Sequence, residues 1–188
     1  MSAIKLKTIE EKWVDCSKCP AMTKSPIVFG YGNPDARLVF IGGSPRSDVE
    51  SDDMLTSILE AVNIKREDIW ITNTCLCRAP EIDERSRAPN KKEINNCRPR
   101  LQEELQIINP NILVLAGNAA LLMATGLRGI TKHRGWIIPP NSKYKTAIYA
   151  TLHPASFFSG GEPQIKLKKQ MAWEDWKKIA KVYHEAKS

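Results

Sequence analysis

A chain of 188 residues with 42% hydrophobic side chains is the size of one domain and can bury a core without covalent staples. Its 28 Lys and Arg against 21 Asp and Glu leave a formal charge of +7 and a pI of about 9.2, which suits a polyanionic partner without proving one. Residues 1–12 alternate apolar and charged side chains and lack the apolar core of a signal peptide, and no run approaches the roughly 20 apolar residues of a membrane span; the expectation is a soluble cytoplasmic protein working as a monomer.

In chain order, residues 37–41 give the first strand signal, and Met54, Leu55, Ile58, Leu59 and Val62 then recur at helical spacing. Residues 69–72 form a second short β-branched run, followed by a helical stripe of Ile94, Cys97, Leu101, Leu105 and Ile108. A third strand, 112–116, leads through Gly117 into a helix over 118–125 that stops at Gly126. A fourth, 146–150, precedes a closing amphipathic helix over 170–186 with Ala172, Trp176, Ile179 and Tyr183 on one face. Strands alternating with helices imply crossovers, hence one α/β domain over 1–188, a three-layer α/β/α sandwich around a mostly parallel four-stranded sheet. Ligands of such sheets bind beyond the carboxyl ends of the strands, so the loops after Ile41, Thr72 and Ala150 are where chemistry is expected. Residues 16–35, 79–90 and 156–163 read as irregular.

Five cysteines in an intracellular chain point to ligands or buried thiols rather than disulfides. Cys16 and Cys19 form a C-x2-C turn that aims two sulfurs at one point, and Cys77 and Cys97 could complete a four-thiolate set. Spacing leaves zinc and a four-iron four-sulfur (4Fe-4S) cluster equally open. Cys75 is most simply a buried thiol.

Several short motifs then follow in a fixed order: Val28-Phe29-Gly30-Tyr31-Gly32-Asn33-Pro34, Phe40-Ile41-Gly42, Ile71-Thr72-Asn73, Cys77-Arg78, Cys97-Arg98-Pro99, Leu115-Ala116-Gly117, Ile130-Thr131-Lys132 and His153-Pro154-Ala155. Together with the cysteines, they resemble the family-4 uracil-DNA glycosylases, the iron–sulfur branch of that superfamily, over nearly the whole chain. The resemblance implies a DNA glycosylase with a 4Fe-4S cluster on Cys16, Cys19, Cys77 and Cys97. It further implies DNA as the partner, a base flipped from the stack, and hydrolysis of its N-glycosidic bond.

On that resemblance, Asn73 reads the base edge with an amide that both donates and accepts. His153 donates to a pyrimidine carbonyl and favours the base anion, as an oxyanion hole would. The loop at Gly42 and Gly43 lets backbone approach the base closely. Asp48 and Glu50 are candidates to position water or offset charge on the sugar. Phe157 and Phe158 are candidates for the side chain that wedges into the DNA. Lys132 and Arg134, with Lys166, Lys168 and Lys169, are the expected phosphate contacts; Arg78 and Arg98 could pair with acids or with the cluster's charge.

One departure stands out. The family's first motif is followed by a segment of roughly ten residues carrying an aromatic that stacks on uracil; here Ser51 runs directly into a helix, and no Phe or Tyr lies between Phe40 and that helix's end. A pocket opened to a larger modified base, such as a modified cytosine, is therefore expected, with Arg85, Arg87, Lys91 and Lys92 lining a widened mouth. Uracil itself is the alternative substrate. A non-catalytic iron–sulfur DNA-binding or damage-sensing module and a zinc-bearing nucleotide-binding protein are the rival functions.

Overall fold

The computed structural model describes residues 1–19, 26–45, 49–78, 81–82, 85–135, 137–138 and 146–185. Helix α1 (Ser2–Trp13) forms where the sequence reads as simple alternation, because Leu6, Ile9 and Trp13 fall on one helical face and are buried. Strands β1 (Tyr31–Gly32) and β2 (Leu38–Gly42) follow, then α2 (Val49–Ala61), a 3-10 turn at Arg66–Asp68 and β3 (Trp70–Asn73). A two-stranded ribbon of β4 (Glu81–Ile82) and β5 (Arg85–Ser86) precedes α3 (Lys91–Ile108) and β6 (Ile112–Ala116). The chain continues through α4 (Gly117–Thr125), α5 (Ile130–His133), β7 (Ile137–Ile138), β8 (Ala147–Thr151), a 3-10 turn at Pro154–Phe158 and α6 (Glu162–Glu185).

The four expected strands are the parallel centre of the sheet, in the order β3-β2-β6-β8. The sheet is wider than expected, because β1 adds antiparallel to β3 at one edge and β7 to β8 at the other. Neither two-residue strand is long enough to show a period of two. All residues of β2 and β6 are buried, as strands covered on both faces must be. Val39, Ile41, Leu113, Leu115 and Ile148 face α1, α3 and α4; Leu38, Phe40, Ile112, Val114 and Tyr149 face α2 and α6. That alternation makes the three layers.

Helix α3 begins with a full capping box: the Asn90 side chain accepts from the Glu93 N–H at 3.0 Å, and Glu93 accepts from the Asn90 N–H at 2.8 Å. Asn109 in the left-handed region ends it. Helix α6 starts at Glu162 rather than residue 170, and its early turns are mostly exposed, so they carry no apolar stripe to read. Among the described residues, no helix is long and apolar enough to cross a membrane.

Candidate base pocket and thiol centre

The carboxyl ends of β3 and β2 lie in parallel register, with Gly42 opposite Asn73. Two hydrogen bonds stitch the strand ends together: Thr74 donates from its N–H (2.9 Å) and from its hydroxyl (2.8 Å) to the Gly42 carbonyl. The Cys75 N–H donates to the Gly43 carbonyl at 3.0 Å. Asn73 is thereby fixed at the rim of a hollow of about 160 Å³ whose walls include Tyr31, Phe40, Ile71, Asn73 and His153.

His153 reaches the same hollow from just past the end of β8, three strands from β3 in the sheet. It caps the following 3-10 turn: its Nδ1 accepts from the Ala155 N–H at 3.1 Å. In a neutral imidazole, one nitrogen that accepts leaves the other carrying the proton, so this bond makes Nε2 the donor. Convergence on Gly42 is the central geometric fact. A Cβ placed there would stand 2.5 Å from Asn73 Oδ1 and 3.3 Å from His153 Nε2. Glycine is needed because the two polar side chains share the space a side chain would fill. Gly117, with φ +85°, lets the chain turn under the His153 Cβ.

Behind Asn73 lies a buried polar network. Arg100 and Glu104, 1% and 4% exposed, pair at 2.5 Å one turn along α3. Glu104 accepts from Trp70 Nε1 at 2.7 Å and from the Thr72 hydroxyl at 3.0 Å. Arg100 donates to the Thr72 hydroxyl and to the Asn73 carbonyl. The helix that carries Cys97 thus grips the backbone of the strand that presents Asn73. Nothing in the sequence singles these two residues out beyond their i,i+4 spacing.

The remaining expected residues divide. Gly43 borders an adjoining hollow of about 300 Å³ on the other side of His153. Glu50 is exposed in the first turn of α2 and does not line the base hollow, where Ser51 and Asp52 stand instead. Asp48 lies outside the described residues. Phe157 is 2% exposed and packs with Leu121, Ile130, Leu152 and Ala172, so it is a core residue and cannot wedge into DNA; Phe158 is 45% exposed. Lys132 is exposed, but Arg134 is not free for phosphate: it donates to Asp175 at 2.7 Å and to the Met171 carbonyl at 2.9 Å. Burial raises the Asp175 carboxyl above its ordinary value, opposed by Thr151 and Arg134. Lys168 donates to the carbonyls of Ser156 and Ser159, bracing the loop that carries Phe158. Arg87 is paired with Glu93 at 2.6 Å and also lines the adjoining hollow with Gly43 and His153. Arg98 donates to the Met123 carbonyl and to Asn95, not to an acid.

On the opposite face of the sheet, Cys16, Cys19, Cys77 and Cys97 belong to one cluster of packed residues. Their sulfurs influence one another: burial first, then Cys97, Cys16 and Cys19, push the Cys77 thiol up to about 11, and Cys19 is raised by burial and by Cys97 and Cys16. Asn96 donates to Cys19 Sγ at 3.4 Å and to the Lys18 carbonyl at 2.9 Å, tying the C-x2-C turn to α3. Cys77 is anchored by a β-bridge to Ile27. None of the five cysteines is in a disulfide, and Cys75 is 1% exposed. Among the described residues no three ligating side chains gather closely enough to hold a single metal ion. Cys16, Cys19, Cys77 and Cys97 supply the four thiols that a thiolate-held metal centre takes.

Comparison with known proteins agrees with this geometry. Residues 29–177 match the family model described as the Uracil DNA glycosylase superfamily. The chain is 28% identical to a type-4 uracil-DNA glycosylase of Archaeoglobus fulgidus across 94% of its own length and 92% of that protein's. It is 32% identical to a protein of the same name from Thermotoga maritima, covering 69% of this chain and 72% of the other, and 29% identical to one from Sulfurisphaera tokodaii over 94% and 84%.

Proposed function

Because the chain belongs to the Uracil DNA glycosylase superfamily, we propose that it is a monomeric intracellular DNA glycosylase that removes uracil from DNA and leaves an abasic site. The observation that carries this reading is the meeting of Asn73 and His153 over Gly42 at the mouth of the sheet. A base must leave the stack to reach that hollow, at a cost of a few kcal/mol. There the Asn73 amide can pair with the donor and acceptor edge of a pyrimidine. His153 Nε2–H, its tautomer set by the Ala155 N–H, can donate to a ring carbonyl. As the bond from C1′ to the base nitrogen breaks, its electron pair goes to the base, and this preformed donor stabilises the resulting anion. Water adds to C1′ of the sugar, and its proton is released to solvent or to the departing base. Asp48 is the candidate to position that water or to offset the charge on the sugar. Phe158 takes the wedge role alone, and Lys132 a phosphate contact.

Two considerations favour uracil over a bulky modified cytosine. The similar proteins carry uracil in their names, and a hollow of about 160 Å³ is close to the volume that accommodates one six-membered ring. Cys16, Cys19, Cys77 and Cys97 would hold a 4Fe-4S cluster, which would supply a rigid brace between the C-x2-C turn, β3 and α3. A broad visible absorbance band after anaerobic purification, lost in Cys77→Ser, tests that assignment.

Activity is tested by incubating the protein with a duplex bearing one uracil and treating the product with alkali. Strand scission at the uracil alone is expected, with His153→Ala slowed about 10²- to 10³-fold at unchanged DNA affinity. Binding without any alkali-labile product would make this a non-catalytic DNA-binding module instead.

A further inference from the structure

We propose that Tyr31 is the aromatic surface on which the extruded base stacks, its ring latched at the rim of the hollow by Arg66 and Asp52. The inference rests on the glycosylase reading above and adds a base-stacking residue to it. Residues 43–61 contain no Phe, Tyr or Trp, so the segment leading from β2 through α2 offers no ring to the base. Phe40 lines the hollow, but it is 4% exposed and stacks on Trp176 at 6.3 Å, so it forms the floor. Tyr31 lines the same hollow and is 47% exposed.

Its position follows from register. Tyr31 is the direct partner of Ile71, so the two side chains stand on one face of the sheet. Asn73, two residues beyond Ile71, stands on that face too. The edge strand β1 therefore sets an aromatic ring beside the amide that reads the base.

The ring is held in advance. Arg66 Nη2 donates to the Tyr31 hydroxyl at 2.9 Å and to Asp52 Oδ1 at 2.5 Å, while the hydroxyl donates to the same Asp52 oxygen at 3.4 Å. Arg66 Nη1 donates to the Thr56 hydroxyl at 3.0 Å, fixing the guanidinium against α2. A side chain fixed before binding does not lose its rotamer freedom on binding, so its contact area converts to affinity more fully. A π-face accepts any base, so Tyr31 strengthens the flipped state while Asn73 decides identity.

The test uses the full-length protein and oligonucleotides carrying a 2′-fluorinated deoxyuridine, whose glycosidic bond resists cleavage, beside matched thymidine controls. Tyr31→Phe, which keeps the ring but loses the hydroxyl held by Arg66 and Asp52, is expected to bind the uracil strand about threefold more weakly than wild type. Tyr31→Leu, which keeps apolar bulk without a π-face, is expected to lose about tenfold or more, with its melting midpoint unchanged. Arg66→Gln, which loosens the ring without removing it, is expected to fall between wild type and Tyr31→Phe. Leu and Phe variants binding alike would overturn the proposal, as would an Arg66→Gln protein indistinguishable from wild type. Failure of wild-type protein to prefer uracil over thymidine would instead strike at the glycosylase reading, so the two failures are distinguishable.

Discussion

Gly42→Ala puts the central geometry under the most direct strain. The new methyl would lie 2.5 Å from Asn73 Oδ1, where ordinary contact begins at 3.4 Å, so the amide must retreat by about 0.9 Å, the difference between those distances. Turning the Asn73 amide into an off-rotamer position costs about 0.5–1.5 kcal/mol, so folding suffers little. Catalysis suffers far more, because a misplacement of about 1 Å in a preorganised site costs on the order of 10²-fold in rate. Single-turnover release of uracil from a duplex gives the rate, and urea denaturation of the same protein gives its stability. The expected result is a rate lower by about two orders of magnitude in a protein destabilised by no more than about 1.5 kcal/mol. A Gly42→Ala enzyme that releases uracil within threefold of wild type would show that Asn73 and His153 do not share the base-binding space, and the mechanism would fall.

Removing one side of the buried pair behind Asn73 should be expensive: Arg100→Met leaves the Glu104 carboxylate uncompensated and is expected to cost about 3–5 kcal/mol in urea denaturation. The double variant Arg100→Met with Glu104→Met should recover a good part of that loss, and a double variant as unstable as the single would argue against the pair. Acid stability should depend on Glu93, whose carboxyl is held below its ordinary value of 4.5 by the hydrogen bond from Arg87 and by the Asn90 backbone. The unfolded chain then binds the proton more readily than the folded one, so this stabilisation is complete above pH 4.5 and is lost as the pH falls through the lower folded value. Glu93→Gln should flatten that acid limb in a series of denaturation midpoints; a limb of unchanged steepness would assign it to other carboxyls.

How far the sequence could be read depended on whether a residue's role was local. Asn73 and His153 were legible because each follows a strand signal directly, and parallel α/β sheets place chemistry at those ends. The cysteines were legible because C-x2-C is a short-range geometry. Tyr31 escaped notice because a two-residue edge strand carries no periodicity, and its partners Asp52 and Arg66 come from a helix and a 3-10 turn. Phe157 and Phe158 could not be told apart in sequence. In a 3-10 turn neighbours diverge by about a third of a revolution, so one enters the core and the other reaches solvent. Arg134 read as a phosphate contact because the acid that neutralises it, Asp175, lies 41 positions away.

The two residues that meet over Gly42 are each anchored through a neighbour behind them, and this has a physical rationale. If either had to be reoriented before a base could bind, part of the binding energy would be spent on reorganisation. Each is fixed from behind, through backbone. Asn73 is held by Arg100 on its carbonyl and by the Thr74 bonds to Gly42, and His153 by the Ala155 N–H on Nδ1. The groups that would face the base are thus oriented from behind. The cost of that order is moved to the Arg100–Glu104 pair, which is buried where water cannot weaken it and where Trp70 and Thr72 satisfy its remaining oxygens. Helix α3 therefore serves two sites at once: Cys97 faces the thiol centre, and Arg100, one turn on, holds the backbone of Asn73, the residue proposed to read the base.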